Sequence, residues 1–127
     1  MNRLAVLQMC SVLDKSVNLT KTSALIELAV RRDHASFICL PENFDFIGPG
    51  DHEPINGTLV NAYKSLAKQH NVWLSLGGLH ERLSEPIGDK KFANTHLIID
   101  NEGNTRALYR KLHLFDANVD GGWTGSF

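Results

Sequence analysis

Phe37-Ile38-Cys39-Leu40 is a run of four apolar residues with no polar break, closed by Pro41. A strand of this kind cannot keep one face in water. It expects cover on both faces, as the strands of α/β sheets have. Pro41, which lacks a backbone N–H, ends the ladder. Upstream, in "KSVNLTKTSALIELAVRRDHA", Leu19, Leu25, Ile26, Leu28 and Ala29 fall close to helical spacing. Arg31 and Arg32 suit the last turn of that helix, at the negative end of its dipole. Before it stands "RLAVLQMC", a short apolar run that reads as a buried first strand. The opening third of the chain is therefore strand–helix–strand.

The alternation continues. "TLVNAYKSLAKQH" places Leu59, Ala62, Tyr63, Leu66 and Ala67 at helical spacing after the Gly- and Pro-bearing loop "FIGPGDHEPIN". "NVWLSLGG" is a third strand, expected to stop at Gly77-Gly78, with the polar loop "HERLSEPIGDKK" after it. "ANTHLIID" and "TRALYRKLHLF" bracket the turn sequence "NEGN" and read as a hairpin. Crossovers early and a hairpin late predict the α/β class with a mixed sheet and two helices on one face. The other face is then bare. The ending "DANVDGGWTGSF" is Gly-rich with no helical pattern, so the expectation is a part of a larger domain.

Composition narrows the partners. Of 127 residues, 43% are hydrophobic and 21% charged, with a formal net charge of −1. That balance offers no electrostatic footprint for nucleic acid or an anionic membrane surface. No stretch reaches the roughly 20 apolar residues that span a bilayer. The N-terminal run is interrupted by Gln8 and lacks a small-residue cleavage site, so it does not read as a signal peptide. Cys10 and Cys39 sit in apolar segments, as reduced, buried thiols of a cytoplasmic protein do. "NLT" and "NGT" match the glycosylation pattern by chance on this reading.

Glu42 follows Leu40 and Pro41 at the carboxyl end of the central strand, where open α/β sheets bind ligands. A carboxylate beside apolar bulk is costly unless it is paired or used. Lys111, in "YRKLHLF", stands at or near the end of the second hairpin strand. A Glu and a Lys at strand ends of one sheet can meet in a pocket, the Glu as general base and the Lys opposite developing negative charge. The plainer alternative is two solvated strand-end charges. Neither cysteine reads as a nucleophile: each sits in an apolar segment, and nothing marks a base or elbow around Cys10. The six histidines, including those of "DHE" and "HE", lack the helical His spacing of zinc proteases, and His96 and His113 read as hydrogen-bonding residues of the hairpin. No Gly-rich dinucleotide fingerprint follows the first strand.

"LAVLQM", "LPENFDF", "NVWLSLGGLHER" and "NTHLIIDNEGNTRALYRKLHLFD" occur in this order over nearly the whole chain. Together they resemble the carbon–nitrogen hydrolase (nitrilase) superfamily, in its Nit branch. That branch includes deaminated-glutathione amidases and the Nit part of Nit–Fhit fusions. The resemblance implies an αββα sandwich of which residues 1–127 are the N-terminal half, ending before the nucleophile elbow. It implies a Glu–Lys–Cys triad in which Glu42 is the general base and Lys111 stabilises the oxyanion. The Cys belongs to the second half, and a second Glu follows "HLFD" and a Pro-Gly turn, where this chain has Asp120-Gly121. It implies a small amide of a carboxylic acid as substrate, no cofactor, and a cytoplasmic or mitochondrial location. Homo-oligomers and a fused or associated Fhit-type domain are the partners it points to. A chain without the Cys is expected to be inactive alone, or to act as a non-catalytic module that docks onto a partner or a full-length relative.

Overall fold

The computed structural model describes residues 2–114 and the two strands Asp116–Val119 and Trp123–Ser126. In chain order the elements are β1 (Leu4–Val6), α1 (Lys15–Asp33), β2 (Phe37–Leu40), α2 (Thr58–His70), β3 (Trp73–Ile87), β4 (Lys90–Ile99), β5 (Thr105–Arg110), β6 (Asp116–Val119) and β7 (Trp123–Ser126). The five strands β1-β2-β3-β4-β5 form one sheet in sequence order, while β6 and β7 pair with each other. β1, β2 and β3 run parallel; β4 and β5 are antiparallel additions. The α/β class and the mixed sheet follow the expected order of elements.

Each helix starts and stops for a local reason. The Asp14 carboxylate accepts hydrogen bonds from the Ser16 and Val17 N–H groups, which the first turn of α1 would otherwise leave unpaired. Both helices end on a residue in the left-handed conformation, His34 at φ 55° and Asn71 at φ 54°. The face α1 turns inward is Asn18, Thr22, Ile26 and Ala29, and Leu28 is 44% exposed. Helical spacing was right for the element and only partly right for its buried stripe. The two inward polar side chains are satisfied. Asn18 Nδ2 donates to the carbonyls of Val12 and Asp45, and the Thr22 hydroxyl meets the Tyr63 hydroxyl of α2 at 2.6 Å. Both helices cover the sheet face formed by Ile38, Leu40, Leu74, Leu76, Leu97 and Ile99, all nearly or wholly inaccessible. On the other face Leu4 and Val6 are 65% and 74% exposed, and Trp73 is 37% exposed.

Two expectations are corrected. β3 does not stop at Gly77-Gly78; it continues to Ile87 and turns through Gly88 into β4, so the supposed loop "HERLSEPIGDKK" is mostly strand. The glycines are a bulge, visible in the register: Leu76 faces Leu97 but Leu79 faces Thr95, one extra residue on β3. The thiols are not both buried either. Cys10 lies beyond β1 and is exposed, while Cys39 is half-buried on the face opposite Ile38 and Leu40. β1 is only three residues long, too short to carry Cys10 into the sheet. Among the described residues no helix is long and apolar enough to cross a membrane.

Candidate functional site

Glu42 owes its position to the residues after it. Phe44 and Phe46 are fully buried, Phe44 edge-on to Tyr63 at 5.1 Å. Between them the Asp45 carboxylate accepts the backbone N–H of His80 at 2.8 Å and faces His80 Nδ1 at 2.9 Å. With Asn18 holding the Asp45 carbonyl, "NFDF" is clamped at both backbone and side chain. Asn43 takes a left-handed φ of 57°, and its N–H donates to the Gly78 carbonyl at 2.8 Å. The chain therefore turns sharply at Glu42 and presents it over the bulge of β3.

The bulge makes the room. Gly78 has φ 62°, and a Cβ there would stand 2.7 Å from Glu42 Cγ and 2.8 Å from Asn94 Oδ1. A Cβ on Gly77 would stand 2.8 Å from the Leu40 carbonyl oxygen. Only glycine permits both the backbone conformation and the close approach at Gly78.

Lys111 and Glu42, 69 positions apart, meet: Lys111 Nζ donates to Glu42 Oε1 at 3.0 Å. Asn94 Nδ2 donates to the same oxygen at 2.8 Å. Asn94 also accepts the backbone N–H of Lys111 at 2.9 Å, so one β4 residue holds both partners. Next to Lys111, Arg110 forks onto Glu81 at 2.8 and 2.7 Å, and the Thr95 hydroxyl adds a third bond to that carboxylate at 2.6 Å. This pair ties β5 to β3 across β4 and fixes the strand end from which Lys111 reaches.

The Lys111 bond holds the Glu42 carboxyl below the usual carboxylate range, with Asn94 and the nearby His80 in support and partial burial in opposition. Glu42 is ionised at neutral pH. For Glu81, burial pushes upward, but the bonds from Arg110 and Thr95 outweigh it and the carboxyl also lies low. A cavity of 310 Å³ opens over the pair, lined by Glu42, Gly77, Gly78, Asn94, His96, Tyr109 and Lys111. Neither Cys10 nor Cys39 lines it.

Sequence reasoning missed Asn94, Asp45 and His80. Asn94 left no signal of its own: it is one polar residue in the middle of β4. His96 bonds the Ser75 hydroxyl at 2.8 Å, whereas His113 is exposed. Asp120 and Gly121 lie outside the described residues, as does Phe115 at the end of the expected hairpin strand.

The chain as a whole is similar to known proteins. The chain is 40% identical to the deaminated glutathione amidase of Dictyostelium discoideum, over 94% of this chain and 44% of that protein. It is 43% identical to the nitrilase and fragile histidine triad fusion protein NitFhit of Caenorhabditis elegans, over 93% of this chain and 28% of the fusion. The crystal structure of C. elegans NitFhit aligns with a TM-score of 0.75 at 37% identity, covering 97% of this chain and 31% of that one. The chain spans less than half the length of each of these relatives. The architecture is α/β with a five-stranded mixed sheet, and its structural neighbour is a nitrilase-type fold. Residues 3–125 match the carbon–nitrogen hydrolase model, and on that match the chain belongs to the carbon–nitrogen hydrolase family.

Proposed function

We propose that the chain carries the base-and-lysine half of an amidase site, for a small amide such as deaminated glutathione. The observation that supports this is the Glu42–Lys111 contact, built by a glycine bulge and an asparagine. Glu42 is the general base, Lys111 the oxyanion partner, and the nucleophilic Cys comes from the remainder of the protein.

The chemistry balances on these groups. Glu42 takes the thiol proton as the sulfur attacks the amide carbon, and Lys111 stabilises the negative oxygen of the tetrahedral intermediate. The C–N bond breaks, protonated Glu42 returns the proton to the leaving amine, and a thioester remains. Water then attacks with Glu42 again as acceptor, releasing the acid and the thiol. Oε1 already holds two donors, so Oε2 is the oxygen free to exchange protons. On this reading residues 1–127 alone hydrolyse nothing, and the domain is completed by the part that carries the Cys.

The test is hydrolysis of deaminated glutathione by the full-length protein. Glu42→Gln should lower kcat about 10²–10⁴-fold, and Lys111→Met about 10²–10³-fold, with circular dichroism unchanged. Retained turnover in either variant would sink the assignment. A second reading is favoured by the exposed apolar face at Leu4, Val6 and Trp73: a non-catalytic module that docks through that face onto a full-length relative. It predicts co-purification of the 127-residue chain with the relative, abolished by Val6→Lys. The NitFhit relatives also make a Fhit-type domain, fused or associated, a partner to test by pull-down.

A further inference from the structure

His96 lines the Glu42 cavity without a part in the chemistry assigned above. It stands opposite the glycine bulge. Leu97 pairs with Leu76 and Thr95 with Leu79, which leaves His96 across from Gly77 and Gly78. A Cβ on Gly77 would touch His96 Cε1 at 3.8 Å, so its absence leaves that edge of the ring uncovered.

The ring is held from behind. Ser75, on β3, is buried, and its hydroxyl meets His96 Nε2 at 2.8 Å. That contact sets the tautomer. The hydroxyl carries one proton and has no other partner among the described residues. If Nε2 held the ring hydrogen, the buried hydroxyl proton would be left unpaired, which costs free energy. The favoured arrangement has Ser75 donating to Nε2, and the ring hydrogen then sits on Nδ1.

Nδ1 is open to a ligand. It bonds no protein group among the described residues, and the buried side-chain atoms left without a partner there are Asn43 Oδ1 and His80 Nε2. Its place along the strand separates it from the Glu42–Lys111 pair. Asn94, which holds Glu42, and His96 lie two residues apart on the same side of β4, a rise of about 7 Å. A carbonyl set between Glu42 and Lys111 is therefore beyond the reach of His96, which meets a different atom.

We propose that His96 is a substrate-binding residue. Its Nδ1–H, fixed there by Ser75, donates to an acceptor oxygen of the amide substrate other than the scissile carbonyl. A single N–H of an uncharged ring suits a carbonyl or hydroxyl oxygen. The proposal rests on the amidase reading of the Glu42 cavity and adds a specific contact to it.

The experiment uses the full-length protein with deaminated glutathione. Asparagine can place its amide nitrogen near the position of Nδ1 but does not reach Ser75. Glutamine reaches Ser75 and leaves the Nδ1 position without a donor. His96→Gln should lower kcat/KM about three- to tenfold, through KM, and His96→Asn should recover most of that loss. The opposite order would assign His96 to packing and overturn the proposal, as would equal kcat/KM in all three proteins. Nuclear magnetic resonance of the histidine ring nitrogens reads the tautomer directly, with the His96 signals assigned by their loss in His96→Gln. An Nδ1–H pattern that reverts to Nε2–H in Ser75→Ala is expected, and an Nε2–H pattern in the wild type overturns the assignment. If deaminated glutathione is not cleaved, the amidase reading fails, and calorimetric titration of the same compound into the Glu42→Gln protein tests the contact without turnover. Binding that His96→Gln weakens and His96→Asn keeps then supports it. Undetectable or unchanged binding refutes it.

Discussion

At Glu42 one carboxylate oxygen receives both donors, Lys111 and Asn94, which on the proposed amidase reading leaves the other to exchange protons. Asn94→Leu removes a bond that lowers the Glu42 pKa, so that pKa rises. A base must be ionised to act, and the acid limb of the kcat/KM profile of the full-length protein should move to higher pH. An unmoved limb with normal kcat would show that Asn94 does not act on Glu42. Gly78→Ala tests the room beside Glu42. Alanine must adopt φ near 62° and place its Cβ 2.7 Å from Glu42 Cγ. The expected cost is about 2–3 kcal/mol in urea unfolding, with kcat lowered as Glu42 is pushed aside. Strand-end position singled out Glu42 and Lys111, but spacing alone was equally met by two solvated charges, and it was the family resemblance that gave them roles. Asn94 and His80 were not singled out, because an Asn or His within a strand acquires a role only from the register that sets it beside a partner.

β3 carries the same lesson at the scale of an element. Two glycines in succession are ordinary strand breakers, and reading them so shortened β3 by more than half. The partner strand β4 overrides the local preference: its ladder continues on both sides of the bulge and absorbs the extra residue. Beyond the bulge, Glu81 and Arg110 stitch β3 to β5. Glu81→Gln leaves the guanidinium without its counter-charge, at a cost of about 2 kcal/mol, discounted because Arg110 is partly in water. The folded-state pKa of Glu81 lies below the ordinary 4.5. Its contribution is therefore present in full above 4.5 and lost as pH falls through the lower folded value. The gap between wild type and Glu81→Gln in chemical denaturation should narrow in strong acid and stay constant from pH 6 to 8. Between the helices, Tyr63→Phe deletes the buried hydroxyl contact with Thr22 and should cost about 1 kcal/mol by the same measurement.

For the whole molecule the decisive asymmetry is between the two faces of the sheet. Two helices cover one face, while the other exposes Leu4, Val6 and Trp73. Apolar surface of this kind seeks cover. The 127-residue chain should bind a hydrophobic dye and self-associate in sedimentation, and Val6→Lys/Trp73→Lys should reduce both without altering its circular dichroism. A monomeric wild-type chain that binds no dye would contradict this. Sequence alone determined the order of elements from β1 to β5, the α/β class, the mixed sheet and the two charged strand ends, but not the β6–β7 pair. Periodicity and strand termination are local properties, written in residues a few positions apart. Tertiary structure alone decided the inward stripe of α1, the bulge at Gly77-Gly78 and the convergence of Glu42, Asn94 and Lys111. Those depend on which distant backbones lie side by side, and a contact across 69 positions leaves no mark in local spacing.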